Sequence, residues 1–184
     1  MPAYIEIVNK ILSIGIIFLQ LIIILISINL IFLRSPSNKV LLFFKKYTFY
    51  FGFIVALGAV VSSLFYSQIV GFPPCELCWI QRIFLYPQLI LFGMELHKRD
   101  HSIVDFSMVF AVLGSLVSLY HIYIENGGGS NLSCAVLSPT NTNQVSCVIR
   151  YIYEFGYITM PIMALTLSLF IISILLNYKY MSRI

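Results

Sequence analysis

The chain has 184 residues, of which 60% are hydrophobic and only 10% charged, with a mean hydropathy of +0.95 and a formal net charge of +4. Soluble domains carry about 25% charged residues, so this composition excludes a soluble globular fold. The basic residues are segregated by side along the chain, which also argues against a nucleic-acid-binding surface.

Residues 1–10 are short and mixed. Ile11 to Leu33 is almost unbroken Ile, Leu and Phe, long enough for the roughly 20 residues that cross a bilayer. A cleaved leader is disfavoured, because the start is weakly basic, the apolar run is too long, and Arg34-Ser35-Pro36 follows it instead of a small-residue cleavage site. Residues 34–46 carry Arg34, Lys39, Lys45 and Lys46 without an acid, the signature of a cytoplasmic loop.

A second span is expected from about Tyr47 to Ile69, with Gly52, Gly58, Ala59, Ser62 and Ser63 as a small-residue face suited to close helix packing. Gly71–Pro74 breaks it. The third span runs from about Trp79 to Leu96, with Pro87 as an expected kink, and a charged turn, His97–His101, follows. The fourth span is about Val104 to Ile124. Residues 125–153 form a long polar loop containing Gly127-Gly128-Gly129, the sequon-like Asn131-Leu132-Ser133, Cys134 and Cys147. The fifth span is about Tyr153 to Asn177, and a tail with Lys179 and Arg183 closes the chain.

Eight of the 11 basic residues (Arg34, Lys39, Lys45, Lys46, Lys98, Arg99, Lys179, Arg183) fall on one side of this layout. Five spans then put the N-terminus outside and the C-terminus in the cytoplasm. All four cysteines face the outside or the outer boundary, the compartment in which disulfides persist.

The stretch with the most chemistry is Phe72-Pro73-Pro74-Cys75-Glu76-Leu77-Cys78-Trp79-Ile80-Gln81-Arg82. Two prolines lead into a helix read as beginning at Cys78, which puts Cys78 and Arg82 at i and i+4 on one face. A thiol at a helix N-terminus beside a guanidinium is driven toward thiolate, the form that attacks disulfides. A purely structural role for the cysteines is the competing reading. It is weakened because a Cys-x-x-Cys bridge closes too small a loop to constrain the unfolded chain much, and because a charge such as Arg82 near lipid is costly unless it has a function. The loop of Cys134 and Cys147 is rich in Gly and polar residues, suited to reaching a partner or the first pair. Metal binding fits less well, since no second short ligand pair accompanies Cys75 and Cys78; no metal site is expected.

Cys75-Glu-Leu-Cys-Trp-Ile-Gln-Arg82, then Ser118-Leu-Tyr-His-Ile-Tyr, a two-cysteine loop, and Phe155-Gly-Tyr-Ile-Thr-Met-Pro-Ile-Met163 together resemble the disulfide bond formation protein B family, most closely its short bacterial BdbC-like branch. The resemblance covers about residues 47–178. It implies an all-α integral membrane protein, with a four-helix transmembrane bundle at 47–178 carrying two external cysteine loops. An extra N-terminal transmembrane helix with a basic cytoplasmic loop occupies 1–46, and 179–184 is a cytoplasmic tail.

The resemblance further implies a thiol:quinone oxidoreductase of the bacterial cytoplasmic membrane. Cys134–Cys147 would be the disulfide offered to a reduced thioredoxin-like (DsbA-like) partner outside the membrane. Cys134 would form the mixed disulfide and Cys147 would engage Cys75. Cys78 would face the quinone, ubiquinone or menaquinone, with Arg82 supporting charge on the thiolate and the quinone oxygen. Gln81 is a candidate hydrogen-bond donor to a quinone carbonyl or a polar filler of the bundle. His121, with Glu125 one turn on, is a candidate proton donor. Tyr151, Tyr153 and Tyr157 read as an interfacial aromatic belt, and Met160-Pro161 as a bend in the last helix. Two other classes stay open: a vitamin K epoxide reductase-like enzyme, disfavoured because its loop cysteines precede the Cys-x-x-Cys, and a non-enzymatic membrane subunit with structural disulfides.

Overall fold

The computed structural model describes residues 3–32, 38–98, 103–128 and 147–183. Cys134 and the sequon-like Asn131-Leu132-Ser133 lie outside the described residues. Among the described residues, five helices are long and apolar enough to cross a membrane: α1 (Ala3–Ile31), α2 (Lys39–Leu64, continued by a π-helical turn, Phe65–Ile69), α3 (Glu76–Lys98), α4 (Ile103–Glu125) and α5 (Met160–Arg183). Among the described residues no strand forms; a single antiparallel bridge links Glu154 and Ile158.

Helices are the expected solution, because a chain surrounded by hydrocarbon must satisfy its backbone N–H and C=O groups internally. Large apolar side chains such as Ile7, Ile11, Ile14 and Phe18 on α1 and Phe106 and Val109 on α4 face outward. On a soluble protein so much exposed apolar surface would drive association; here it meets lipid. The inner core joins Phe92 of α3 to Phe170, Ile171, Ile174 and Leu175 of α5, with Ile26, Ala56 and Ala111. Gly52 lets α2 approach α3: a Cβ there would stand 2.5 Å from Phe92 Cε1.

Several polar side chains inside the bundle are paired across helices. The Gln88 Nε2 amide donates to the Ser107 carbonyl at 2.9 Å, and the Ser107 hydroxyl returns a bond to Gln88 Oε1. Asn177 Nδ2 donates to the Leu41 carbonyl at 3.0 Å, Lys45 Nζ donates to the Met181 carbonyl at 2.6 Å, and the Phe49 and Tyr178 rings meet at 4.9 Å. The last three contacts hold α2 and α5 together at the end remote from the cysteines.

Several boundaries differ from the sequence reading. α1 begins at Ala3, because Tyr4, Ile5, Ile7 and Val8 extend its apolar run past the polar Glu6 and Asn9. α2 begins at Lys39, capped by Asn38, whose side chain accepts the Val40 N–H at 3.0 Å; Lys39, Lys45 and Lys46 therefore ride on the first turns of a helix rather than in a loop. α3 begins at Glu76 and runs on through Pro87. α5 begins at Met160 instead of Tyr153. Phe155 (φ 51°) and Gly156 (φ 78°) both take left-handed conformations, closing a tight turn in which Ile158 N–H donates to the Glu154 carbonyl at 2.9 Å. Successive left-handed residues are a hairpin-turn signature incompatible with a right-handed helix. Pro161 then lies in the first turn of α5, where its missing N–H costs no helical bond, so Met160-Pro161 marks a helix start where a bend was expected.

Candidate functional site

The extra turn at the start of α3 changes what Cys75 is. Its sulfur accepts the backbone N–H of Cys78 at 3.3 Å while its carbonyl accepts the N–H of Trp79 at 3.1 Å. Cys75 is thus the N-cap of α3, a position usually filled by Ser, Thr, Asp or Asn, and its sulfur meets one of the free N–H groups of the first turn. Cys78 sits three residues on, so both sulfurs lie at the positive pole of the helix. Cys75 and Cys78 are free thiols with sulfurs 2.6 Å apart. Contact with Cys78, followed by burial, pushes the Cys75 thiol well above the ordinary thiol range.

On one side of this pair is a small chamber of about 20 Å³, bordered by Cys75, Cys78, His121, Glu125, Cys147 and Arg150 together with apolar neighbours such as Ile152 and Pro161. That is room for about one water molecule. Cys75 Sγ, Cys147 Sγ and a ring nitrogen of His121 all lie within 4.8 Å of one another, and all three residues are buried. His121 Nε2 is 3.8 Å from Cys75 Sγ, and among the described residues its buried Nδ1 has no hydrogen-bond partner. Cys147 is disulfide-bonded. A disulfide sulfur has no thiolate to give a metal, and the cluster sets that sulfur within 4.8 Å of the free Cys75 thiol. Glu125 supports the chamber wall: Arg150 Nε stands 3.2 Å from its Oε1, and the Thr159 hydroxyl donates to its Oε2 at 2.9 Å.

On the other side is a much larger cavity of about 380 Å³ between the cysteine-proximal halves of α1, α2, α3 and α5. This is the size of small-ligand sites. Its walls are mostly apolar, and its polar groups gather near Cys78, where Gln81, Arg82, Ser62 and Ser63 also border it. Arg82 donates to the Ser63 carbonyl at 3.2 Å, and its guanidinium carbon lies 5.0 Å from the Trp79 ring centroid. Gln81 Nε2 donates to the Ser118 hydroxyl at 3.2 Å while bordering the cavity. The outer rim is aromatic: Tyr151 stacks on Phe72 at 4.6 Å, and Phe72 lies parallel to Tyr66 at 6.1 Å.

The structure therefore brings Cys75, Cys78, Gln81, Arg82, His121 and Cys147 to one end of the bundle. His121 borders the small chamber, opposite the large cavity. Of the residues read as an aromatic belt, Tyr153 and Tyr157 are exposed, whereas Tyr151 is drawn into the cavity rim. The small-residue face of α2 divides likewise: Gly52 packs on Phe92, but Gly58, Ala59, Ser62 and Ser63 line the cavity. Sequence reading missed Tyr66, Phe72, Thr159 and Arg150 as parts of the site. Their only signal was proximity to the Pro-Pro break and to the loop cysteines, which does not fix a side chain's direction.

Residues 45–177 match the model of a family described as the disulfide bond formation protein DsbB. The chain is 34% identical over 121 residues to a probable disulfide formation protein C 1 of Bacillus anthracis, an alignment covering 66% of this chain and 84% of that protein. It is 36% identical over 125 residues to the disulfide bond formation protein C of Bacillus subtilis, covering 67% and 86%. A probable disulfide formation protein C of Bacillus cereus is 38% identical over 107 residues, covering 58% and 73%. No solved structure matches at comparable stringency. Helix α1 lies outside the family match.

Proposed function

Because this chain belongs to the DsbB disulfide bond formation family of membrane proteins, we propose that it is a thiol:quinone oxidoreductase. In this reading it reoxidises a thioredoxin-like thiol protein outside the membrane and passes the electrons to a membrane quinone. One observation carries the reading: the Cys75/Cys78 pair stands between two unlike spaces, with Cys147 beside Cys75 in one and Arg82 beside Cys78 in the other.

The exchange proceeds through thiolates and mixed disulfides. A partner thiolate attacks the loop disulfide at Cys134, Cys147 leaves as thiolate, and the partner's second thiol releases an oxidised partner. Cys147 then attacks Cys75 in the oxidised Cys75–Cys78 pair, and Cys78 departs as thiolate. Cys134 resolves the Cys147–Cys75 bond, which restores the loop disulfide and leaves Cys75 and Cys78 as a dithiol. A quinone supplies the sink for the two electrons and two protons of that dithiol. Arg82 holds positive charge next to Cys78 and to the place a quinone oxygen would take. Gln81 gives one N–H of its amide to Ser118, and the second N–H is the donor for a quinone carbonyl. His121, beside both exchanging sulfurs and a water-sized space, holds or hands on the proton that each thiol loses.

The fit to a quinone rests on the cavity itself: mostly apolar in its lining, with Gln81 and Arg82 among its borders beside Cys78, and of sufficient volume for a ring with part of a tail. We further place the cysteine end on the outer face of a bacterial cytoplasmic membrane, following the positive-inside rule. Residues 47–178 are the functional bundle, 1–46 an added helix with its basic loop, and 179–184 the tail.

The test is purified protein mixed with a reduced thioredoxin-like thiol protein and a quinone, followed optically. Quinone loss matched one for one by partner disulfide supports the reading. Partner oxidation that needs no quinone, or quinone left untouched, overturns it in favour of structural disulfides or another acceptor.

A further inference from the structure

Helix α1 has no counterpart in the family match, which begins at residue 45. It is nevertheless built into the large cavity. α2 and α5 are clamped together at the end remote from the cysteines by Leu41–Asn177, Lys45–Met181 and Phe49–Tyr178. Toward the cysteines both helices border the cavity, and α1 lies across the gap between them. Two polar clasps hold it there. Asn9 accepts the Tyr66 hydroxyl of α2 at 2.6 Å, and Gln20 donates to the Thr166 hydroxyl of α5 at 3.1 Å while accepting from Tyr157 at 2.8 Å. In hydrocarbon such pairs fix one helix against another, because separated polar groups find no water.

Between the clasps, Leu12, Gly15, Ile16 and Leu19 face the cavity. Gly15 is informative: a Cβ there would meet nothing within 4 Å, and the same holds for Gly58 of α2, which borders the same cavity. Where Gly52 makes room for Phe92, Gly15 and Gly58 leave room that no protein atom fills. The other glycine of α2 is thus explained by packing; these two are not.

We infer that α1 is a wall of the electron-acceptor site, and that Leu12, Gly15, Ile16 and Leu19 contact the acceptor's apolar part and set how bulky it can be. The inference rests on the quinone reading above and deepens it. It assigns the substrate-selecting surface to a helix that the family match does not include.

Two measurements test it on the full-length protein in lipid nanodiscs. A photoreactive azidoquinone, mapped by mass spectrometry, is expected to label α1 around Leu12–Leu19, with labelling suppressed by excess parent quinone. Gly15→Leu and Gly58→Leu place a side chain in open space within a helix that favours Leu over Gly, so both variants should unfold at the wild-type temperature. Each should raise the quinone KM by about tenfold, the scale on which an apolar pocket discriminates bulk, with the rise steeper for long-tailed than for short-tailed quinones. Competed labels confined to α2, α3 and α5, or a Gly15→Leu variant with wild-type KM while Gly58→Leu is impaired, overturn the inference and leave the quinone reading standing. Absence of competed label anywhere, with no quinone turnover in the wild type, removes the quinone reading itself and this inference with it.

Discussion

The two spaces that flank Cys78 share a wall but are built from different materials. The small chamber gathers a carboxylate, a guanidinium, an imidazole and three cysteine sulfurs among apolar neighbours, and has space for about one water molecule. The large cavity is bounded by aliphatic and aromatic side chains, with its polar groups clustered at the Cys78 end. A thiol pair that handled only proteins would need the first; a thiol pair that handled only a lipid-soluble acceptor would need the second. On the proposed reading, their juxtaposition across one helix N-terminus would separate sulfur exchange from electron delivery. Cys75, capping the helix, is the sulfur that Cys147 can reach, and Cys78, one turn inward, is the one that borders the apolar space.

The largest effect should come from removing the wall they share. Cys78→Ser is expected to reduce quinone turnover to background, because no second thiol remains to complete the Cys75–Cys78 disulfide. Exchange on the other side survives, so a non-reducing peptide map should recover Cys75 joined to Cys147. Turnover retained in this variant would show that electrons leave by some other group.

A pair of milder changes should split the two spaces kinetically. Arg82→Ala removes a cation held by the Ser63 carbonyl at the cavity's polar end. Hydrogen bonds to charged groups contribute about 1.5–3 kcal/mol, so the quinone KM should rise by about 10- to 100-fold while thiol trapping shows normal exchange between the loop and Cys75. Glu125→Gln weakens the link between Arg150, Thr159 and α4 on the chamber side. It should slow loop-to-Cys75 exchange several-fold, as expected for about 1 kcal/mol lost from a hydrogen-bonded ion pair, and leave the quinone KM unchanged. If both variants shift the same parameter, the division into two spaces is wrong.

Much of this arrangement was legible before any coordinates. Hydropathy located five spans, and the Cys75–Cys78 spacing with Arg82 one turn on pointed to the stretch that borders both spaces, because both are local properties of helix periodicity. Helix ends were less legible: the Asn38 cap and the Phe155-Gly156 turn depend on single residues whose backbone angles override an apolar pattern. The division of roles was least legible. His121 and Gln81 were grouped as acceptor-binding candidates, and only their direction, toward Cys75 and Ser118 respectively, distinguishes them. The same limit explains Tyr151, whose neighbours Tyr153 and Phe155 are exposed. Composition marks all of these aromatics as interfacial, and no periodicity in an irregular segment says which one turns inward.

Tyr151 gives the smallest and most specific prediction. Its ring stacks on Phe72, which lies parallel to Tyr66, and the three rings form the rim of the large cavity just beyond the Pro73-Pro74 bend. Aromatic pairs contribute about 0.5–1.5 kcal/mol beyond their buried area. Tyr151→Leu keeps an apolar side chain at the rim but removes the stack, so Phe72 is released while the helices keep their contacts. Rim loosening should raise the quinone KM only about 2- to 10-fold. Tyr151 also borders the small chamber, so the variant asks which space the residue serves. A change confined to the quinone KM assigns it to the acceptor side, whereas a change confined to loop exchange would move the boundary between the two spaces to the far side of this ring.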